Sequence, residues 1–408
     1  MPPAHETNLG SPLPALTGAR FFAAFAVIVY HYGVGPLAAV SPTLATLSAL
    51  GPAAVSFFYV LSGAVLTWGC TDARGLPKRP PGVFWGQRAA RILPAYLVAL
   101  ALSLPAFAVH ALQVFPVAGA LTRIGGGLVA GALLVQAWLP PLASGLNTPG
   151  WSISCEAFFY LVFPWLVVAL RRDAPGVPWG RALLLWLAAL AAPLLGMLVL
   201  RAGLLPAGHF PTLTDNEPAS ELLARLLSYF PLLRLPEFAL GLLLGHALRN
   251  TPAAPRSVAA DTAREVALVA GLVAAAWVLG SGGPARLFGV PLANRIWIEG
   301  GLLAPFFSLW VWQLARGQGL LQRWLAGPRL LLLGEASYGL YIIQEPMTVW
   351  TTSALKHVPG AMAHWNQLFW LHALFLVGCS LALHRFVELP GRSALLARLV
   401  GKRAAPVT

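Results

Sequence analysis

Apolar runs recur along almost the whole chain, near 16–34, 51–69, 92–110, 125–139, 151–170, 182–201, 229–248, 264–280, 296–315, 330–352 and 366–386. Most have the roughly 20 residues an α-helix needs to cross a hydrocarbon core of about 30 Å. None keeps the two-residue alternation of a barrel strand. The pattern predicts an all-α polytopic membrane protein. Proline-rich joins, LPKRPPG at 76–82, LPP at 139–141 and APGVP at 174–178, mark turns between spans. No stretch is left over for a soluble domain, so we expect one membrane unit over 1–408, with its core at 12–392 and flexible tails at 1–11 and 393–408. No internal repeat is strong enough to suggest inverted symmetry.

The run at 125–139 is short and glycine-rich, and the distribution of basic residues decides its status. If the N-terminus is cytoplasmic and this run does not cross, the Lys and Arg clusters at 74–91, 171–181, 249–264, 316–329 and 385–403 all fall on the inner side. If it does cross, most of those clusters change sides relative to 74–91. The expectation is therefore about ten transmembrane helices, both termini cytoplasmic, and a re-entrant or interfacial segment at 125–147.

Composition agrees: 58% of the residues are hydrophobic and only 10% charged, against about a quarter charged in soluble domains. The net charge of +13 is not read as a nucleic-acid surface, because the basic residues sit in small groups between apolar spans. Cys70, Cys155 and Cys379 lie in or beside apolar runs without CxxC spacing, which argues against a disulfide framework and against a metal site. The first run retains His31 well inside it and is read as an uncleaved helix.

Ionisable residues inside spans are costly, so each is a functional candidate. In LTGARFFAAFAVIVYHYGV (16–34), Arg20 precedes His31 by eleven residues. Eleven steps of about 100° return to nearly the same face and rise about 16 Å. One helix face therefore carries polar groups from the inner end into the outer half. Taken alone, Arg20 could equally snorkel to headgroups. NTPGWSISCEAFFYLVFP (147–164) enters from outside and puts Glu156 about one and a half turns in, expected at the depth of His31. A carboxylate there would orient the imidazole as a general base; the alternative is an acid capped by Ser152 or Ser154. In FWGQRAARILPAY (84–96), Arg88 and Arg91 share a helix face, suited to gripping phosphate, although topology signalling alone would also place them there. Ser62, Glu237, Tyr338, Tyr341 and Gln344 are further polar insertions, and Glu388 is expected to pair with an arginine. The 202–228 loop reads as a lid or acceptor-facing segment, with His209 the histidine placed to meet an acceptor. Cys155, next to Glu156, reads as packing.

These blocks resemble the acyltransferase 3 family of integral-membrane acyltransferases, which modify surface polysaccharides, lipids and secreted small molecules. The resemblance rests on the Arg20–His31 pair, FFYVLSGAVL, FWGQRAARILPAY with its RxxR, WSISCEAFFYLVFP, RLPEFALGLLLG, SYGLYIIQEPM and FVELP, in that order, from about residue 12 to 392. It departs at Gln344, where the family usually has histidine; glutamine hydrogen-bonds but does not titrate. The resemblance implies a multi-pass protein of the bacterial inner membrane with no resident cofactor. It implies that an acyl group, acetyl foremost, moves from cytoplasmic acyl-CoA to a hydroxyl of an extracytoplasmic carbohydrate, lipid or small molecule. His31 would be the base and Glu156 its partner, while Arg20, Arg88, Arg91, Ser62, Trp151, Glu237, Tyr338 and Gln344 would bind substrate. The competing reading is a transporter or flippase for a polyprenyl-linked sugar or small metabolite, with Arg20 and His31 as an ion path.

Overall fold

The computed structural model describes residues 13–171, 176–252 and 256–399. The chain begins with α1 (Pro14–Tyr32), α2 (Val34–Val40), α3 (Pro42–Ser48), α4 (Ala54–Cys70), α5 (Pro81–Val114), α6 (Val117–Ala132), α7 (Gly150–Ala169) and α8 (Trp179–Arg201). A two-stranded hairpin follows, β1 (His209–Pro211) and β2 (Asn216–Pro218). Then come α9 (Ala219–Tyr229), α10 (Pro231–Asn250), α11 (Val258–Gly280), α12 (Gly283–Phe288), α13 (Ala293–Glu299), α14 (Ala304–Arg316), α15 (Leu320–Leu325), α16 (Pro328–Leu355) and α17 (Trp365–Leu383). A π-turn over His384–Glu388 leads into α18 (Leu389–Leu399). Proline opens α1, α3, α5, α10 and α16, where its missing N–H costs nothing and its fixed φ favours the first turn.

Among the described residues, eight helical stretches are long and apolar enough to cross a membrane, and the protein is an all-α multi-pass membrane protein. α16, more polar, is also long enough, at 28 residues or about 42 Å. One expected span differs. The run at 296–315 is not one helix: it breaks between α13 and α14 at Gly301, whose φ is +86° and whose added Cβ would lie 2.7 Å from Glu237 Oε1. The segment at 125–147, expected to be re-entrant or interfacial, begins with the second half of α6, at 117–132, whose 16 residues rise about 24 Å, short of a hydrocarbon core of about 30 Å.

After α6 the chain turns through Leu134, in the left-handed region at φ +56°, and continues irregularly to α7. Irregular backbone at membrane depth survives only when protein covers it, and here Gln136 does so. Its Nε2 donates to Tyr96 Oη at 3.2 Å and to the Gly150 carbonyl at 2.6 Å. Ser154 Oγ donates to the Leu134 carbonyl at 2.6 Å.

Glycines set the closest helix crossings, as is usual between membrane helices. An added Cβ on Gly63 of α4 would meet the Phe238 carbonyl at 2.3 Å, and one on Gly241 of α10 the Val60 carbonyl at 2.1 Å. α1 is held equally tightly: Gly18 abuts the Leu325 carbonyl, and Gly334 of α16 abuts the Thr17 carbonyl. Phe159 stacks on Phe238 and Phe84 on Phe163, with ring centroids 4.9 and 4.7 Å apart.

The 202–228 segment is pinned rather than free to act as a lid. Leu213 is buried against Gly127 and Gly145, Arg123 Nε donates to the Thr212 carbonyl at 3.0 Å, and His110 reaches the Thr214 carbonyl at 3.2 Å. His209 stays exposed on the hairpin. The segment expected as a C-terminal tail begins as helix, since α18 runs to Leu399. Residues 1–11, Arg172, Lys402 and Arg403 lie outside the described residues.

Candidate active site

Six of the sequence blocks converge at the N-terminal end of α1. Arg20, half-buried, lies in the electrostatic reach of Arg91 on α5, Glu156 and Tyr160 on α7, and Glu388 in the π-turn. The i, i+3 spacing of Arg88 and Arg91 turns both toward this space. The Arg88 guanidinium lies 5.7 Å from the Phe84 ring centroid and 6.0 Å from that of Tyr160, and its buried Nε has no hydrogen-bond partner among the described residues. Arg392 of α18 is in the field of Arg91 and Arg88. Four guanidiniums thus face two carboxylates, an excess of positive charge that suits a polyanion.

The carboxylates are held from the side. Glu156 Oε1 accepts from Tyr160 Oη one turn along α7, and from Ser62 Oγ of α4 at 3.4 Å. Glu388 Oε2 bonds His384 Nδ1 at 2.8 Å, while its buried Oε1 has no hydrogen-bond partner among the described residues. Glu388 therefore pairs with His384 rather than making the expected arginine hydrogen bond, though Arg91 and Arg20 lie in its field. The π-turn, a device frequent at functional sites, is what brings the two side chains together. Tyr338 Oη donates to the Ile92 carbonyl at 3.0 Å, and its ring lies near Glu156 and Glu388.

At the other end of the same face, His31 is exposed, flanked by the rings of Tyr30 and Tyr32 at 5.0 and 5.9 Å. Among the described residues it has no hydrogen-bond or ion-pair partner. The expected His31–Glu156 pairing is not formed. The irregular 133–149 segment lets α7 begin deep: an added Cβ on Gly150 would lie 3.7 Å from Tyr96 Oη. Glu156 is six residues beyond Gly150, about 9 Å, and Arg91 five residues before Tyr96, about 7.5 Å, so the two share a level. Glu156 is consequently a neighbour of Arg20, some three turns from His31.

Next to His31 in sequence, Tyr32 lies close to Thr348. Thr348 Oγ1 contacts His372 Nε2 at 2.9 Å and donates to the Gln344 carbonyl at 2.6 Å. Gln344 itself is fully buried; its Nε2 donates to the Tyr341 carbonyl at 2.9 Å and its Oε1 has no partner. Glu345 accepts from Thr148 Oγ1 at 2.8 Å and from the Thr148 N–H, tying the entrance of α7 to α16. The sequence reading missed Tyr160, Thr348, His372, His384, Glu345 and Arg392 as parts of these networks. The i, i+4 spacings of Glu156 with Tyr160 and Gln344 with Thr348 were the available signal.

Two expected substrate-binding roles, those of Glu237 and Trp151, are not supported by placement. Glu237 is 0% exposed and Arg234 1%. They form a two-pronged pair within α10, with Nη1–Oε1 and Nη2–Oε2 both at 3.1 Å, and Arg234 Nη2 also donates to Ser56 Oγ at 3.2 Å. Both charges are consumed by the fold and offer no face to a substrate. Trp151 is buried and stacked on Tyr229 at 4.2 Å, and Arg295 Nη2 fixes that tyrosine's hydroxyl at 2.9 Å. Cys155, fully buried, donates its thiol to the Tyr229 carbonyl at 3.2 Å, in keeping with a packing role. No group of three His, Cys, Asp or Glu among the described residues could hold a metal ion.

Residues 13–384 match the model of the acyltransferase 3 family, described as an acyltransferase domain. A curated relative, "Acyltransferase MdmB" of Streptomyces mycarofaciens, is 34% identical over 248 residues, covering 58% of this chain and 58% of that protein. The chain therefore spans less than two thirds of the relative's length in that match. No solved structure matches. With the match running over nearly the whole chain, the chain belongs to the acyltransferase 3 family.

Proposed function

We propose that the protein is a membrane-bound O-acyltransferase that moves an acyl group, acetyl foremost, from cytoplasmic acyl-CoA to a hydroxyl presented on the opposite side of the membrane. The observation that carries this reading is the polarity of one face of α1. Its inner end lies among Arg88, Arg91 and Arg392 with incomplete neutralisation, and its outer end bears an exposed imidazole with no hydrogen-bond or ion-pair partner among the described residues.

In this reading the arginines hold the CoA phosphates by charge-assisted hydrogen bonds. Glu156 and Glu388 keep the guanidiniums apart and oriented until the donor arrives. The flexible pantetheine arm then carries the thioester along the face toward His31. His31 takes the proton of the acceptor hydroxyl as its oxygen attacks the thioester carbonyl. The tetrahedral intermediate collapses with loss of the CoA thiolate, which recovers a proton. Glu156 thus serves Arg20 rather than the imidazole. The acceptor is a glycan, lipid or secreted metabolite, and the site of action a bacterial inner membrane.

The test is transfer of labelled acetyl from acetyl-CoA in sealed vesicles, with donor supplied on one face and a hydroxyl acceptor on the other. His31→Ala should lose transfer while keeping acyl-CoA binding and thermal stability. Full transfer by that variant would overturn the base assignment. Failure of the wild-type protein to consume any acyl-CoA would favour transport instead.

A further inference from the structure

Away from α1, the first turns of α11 and the last turns of α14 border a groove of about 770 Å3. Its character changes along its length. One end carries Arg256 and Arg264, and the rest runs over Ala267, Leu268, Leu309 and Trp312. The charged end is built deliberately. Asp261, completely buried, takes Arg264 Nη1 at 2.6 Å and Arg256 Nη1 at 3.4 Å on the same oxygen, Oδ1. Its Oδ2 accepts the Gln318 N–H at 2.9 Å. One carboxylate thus parks two guanidiniums side by side and leaves a net positive charge. A guanidinium has five N–H donors, and among the described residues the Nε and Nη2 of both arginines have no hydrogen-bond partner. Arg316, 5.1 Å from the Trp312 ring centroid, adds its charge close by.

The geometry points to a site for one anionic glycerophospholipid, its phosphodiester on the Arg256–Arg264 fork and an acyl chain along Leu268, Leu309 and Trp312. The two-part lining is the argument. A free phosphate would use the fork and leave exposed Leu309 and half-buried Trp312 uncovered. A zwitterionic lipid would cover the floor but gain little from the excess charge. Only an amphiphile with net negative charge matches both ends. The fork also belongs to basic clusters, 249–264 and 316–329, that gather on the side read as cytoplasmic.

The experiment is native mass spectrometry of the full chain in a neutral detergent, titrated separately with phosphatidylglycerol, phosphatidylcholine and inorganic phosphate. One phosphatidylglycerol should be retained in preference to phosphatidylcholine, and millimolar phosphate should not displace it. Arg256→Gln with Arg264→Gln should weaken phosphatidylglycerol binding by about thirtyfold, two basic residues at roughly 1 kcal/mol each, with phosphatidylcholine unchanged. Because that pair also neutralises Asp261, a second variant, Ala267→Trp, obstructs the apolar floor and leaves the fork intact; it should weaken phosphatidylglycerol as well. Equal phosphatidylglycerol binding by wild type and both variants would overturn the assignment. So would displacement by phosphate alone, which would make the fork an ion site.

Discussion

The Arg234–Glu237 pair offers the sharpest test of whether these charges hold the fold or a substrate. Both side chains are buried, joined by two contacts of 3.1 Å, with Ser56 Oγ and the face of Tyr59, at 5.3 Å, as further neighbours of the guanidinium. Removing one partner strands the other charge without water. That costs about 3–5 kcal/mol, roughly two to three and a half decades in the folding equilibrium. Removing both charges with volume preserved, as in Arg234→Met with Glu237→Leu, is expected to be neutral or to stabilise by about 1–4 kcal/mol. The measurement is thermal inactivation of detergent-solubilised protein by fluorescence-detected size exclusion, alongside acyl transfer per folded molecule. Each single variant should melt well below wild type, and the double variant should recover both stability and transfer. A Glu237→Gln protein that melts like wild type yet has lost transfer would refute the reasoning and return Glu237 to the substrate site.

Arg88→Ala and Arg91→Ala should each raise KM for acyl-CoA about tenfold or more with a smaller effect on kcat, since each removes a charge-assisted contact worth about 1.5–3 kcal/mol; steady-state kinetics at varied donor concentration checks this. Glu156→Gln should weaken donor binding and leave the pH profile of transfer in place, because the carboxylate lies beside Arg20 and not His31; a displaced basic or acidic limb would show that it tunes the imidazole after all. Gly241→Leu should lower thermal stability by about 1–3 kcal/mol or prevent folding, as its Cβ would lie 2.1 Å from the Val60 carbonyl. Cys155→Ala should retain transfer, and a maleimide should not label Cys155 in the folded protein, because the thiol is fully buried.

The sequence by itself determined the class of the protein and most of its helices, because burial in a hydrocarbon core demands apolar runs of a fixed length and closes every backbone hydrogen bond within the run. It also determined that Arg20 and His31 share a face, since that follows from helical period alone. Depth and partnership were decided by tertiary structure. Glu156 was expected at the level of His31 on the premise that α7 starts at the membrane surface; a buried irregular segment, held by Gln136 and Ser154, starts it deeper and delivers Glu156 to Arg20. Glu237 and Arg234 sit three residues apart in plain view, yet only the approach of Gly63 to α10 and of Gly301 to the carboxylate shows that the pair is sealed. Hydropathy cannot anticipate the break before α14 or the π-turn that joins His384 to Glu388, because both are local backbone departures stabilised by contacts from distant helices. Spacing fixes which side chains share a helix face; which face meets which partner, and at what depth, is settled only when the helices pack.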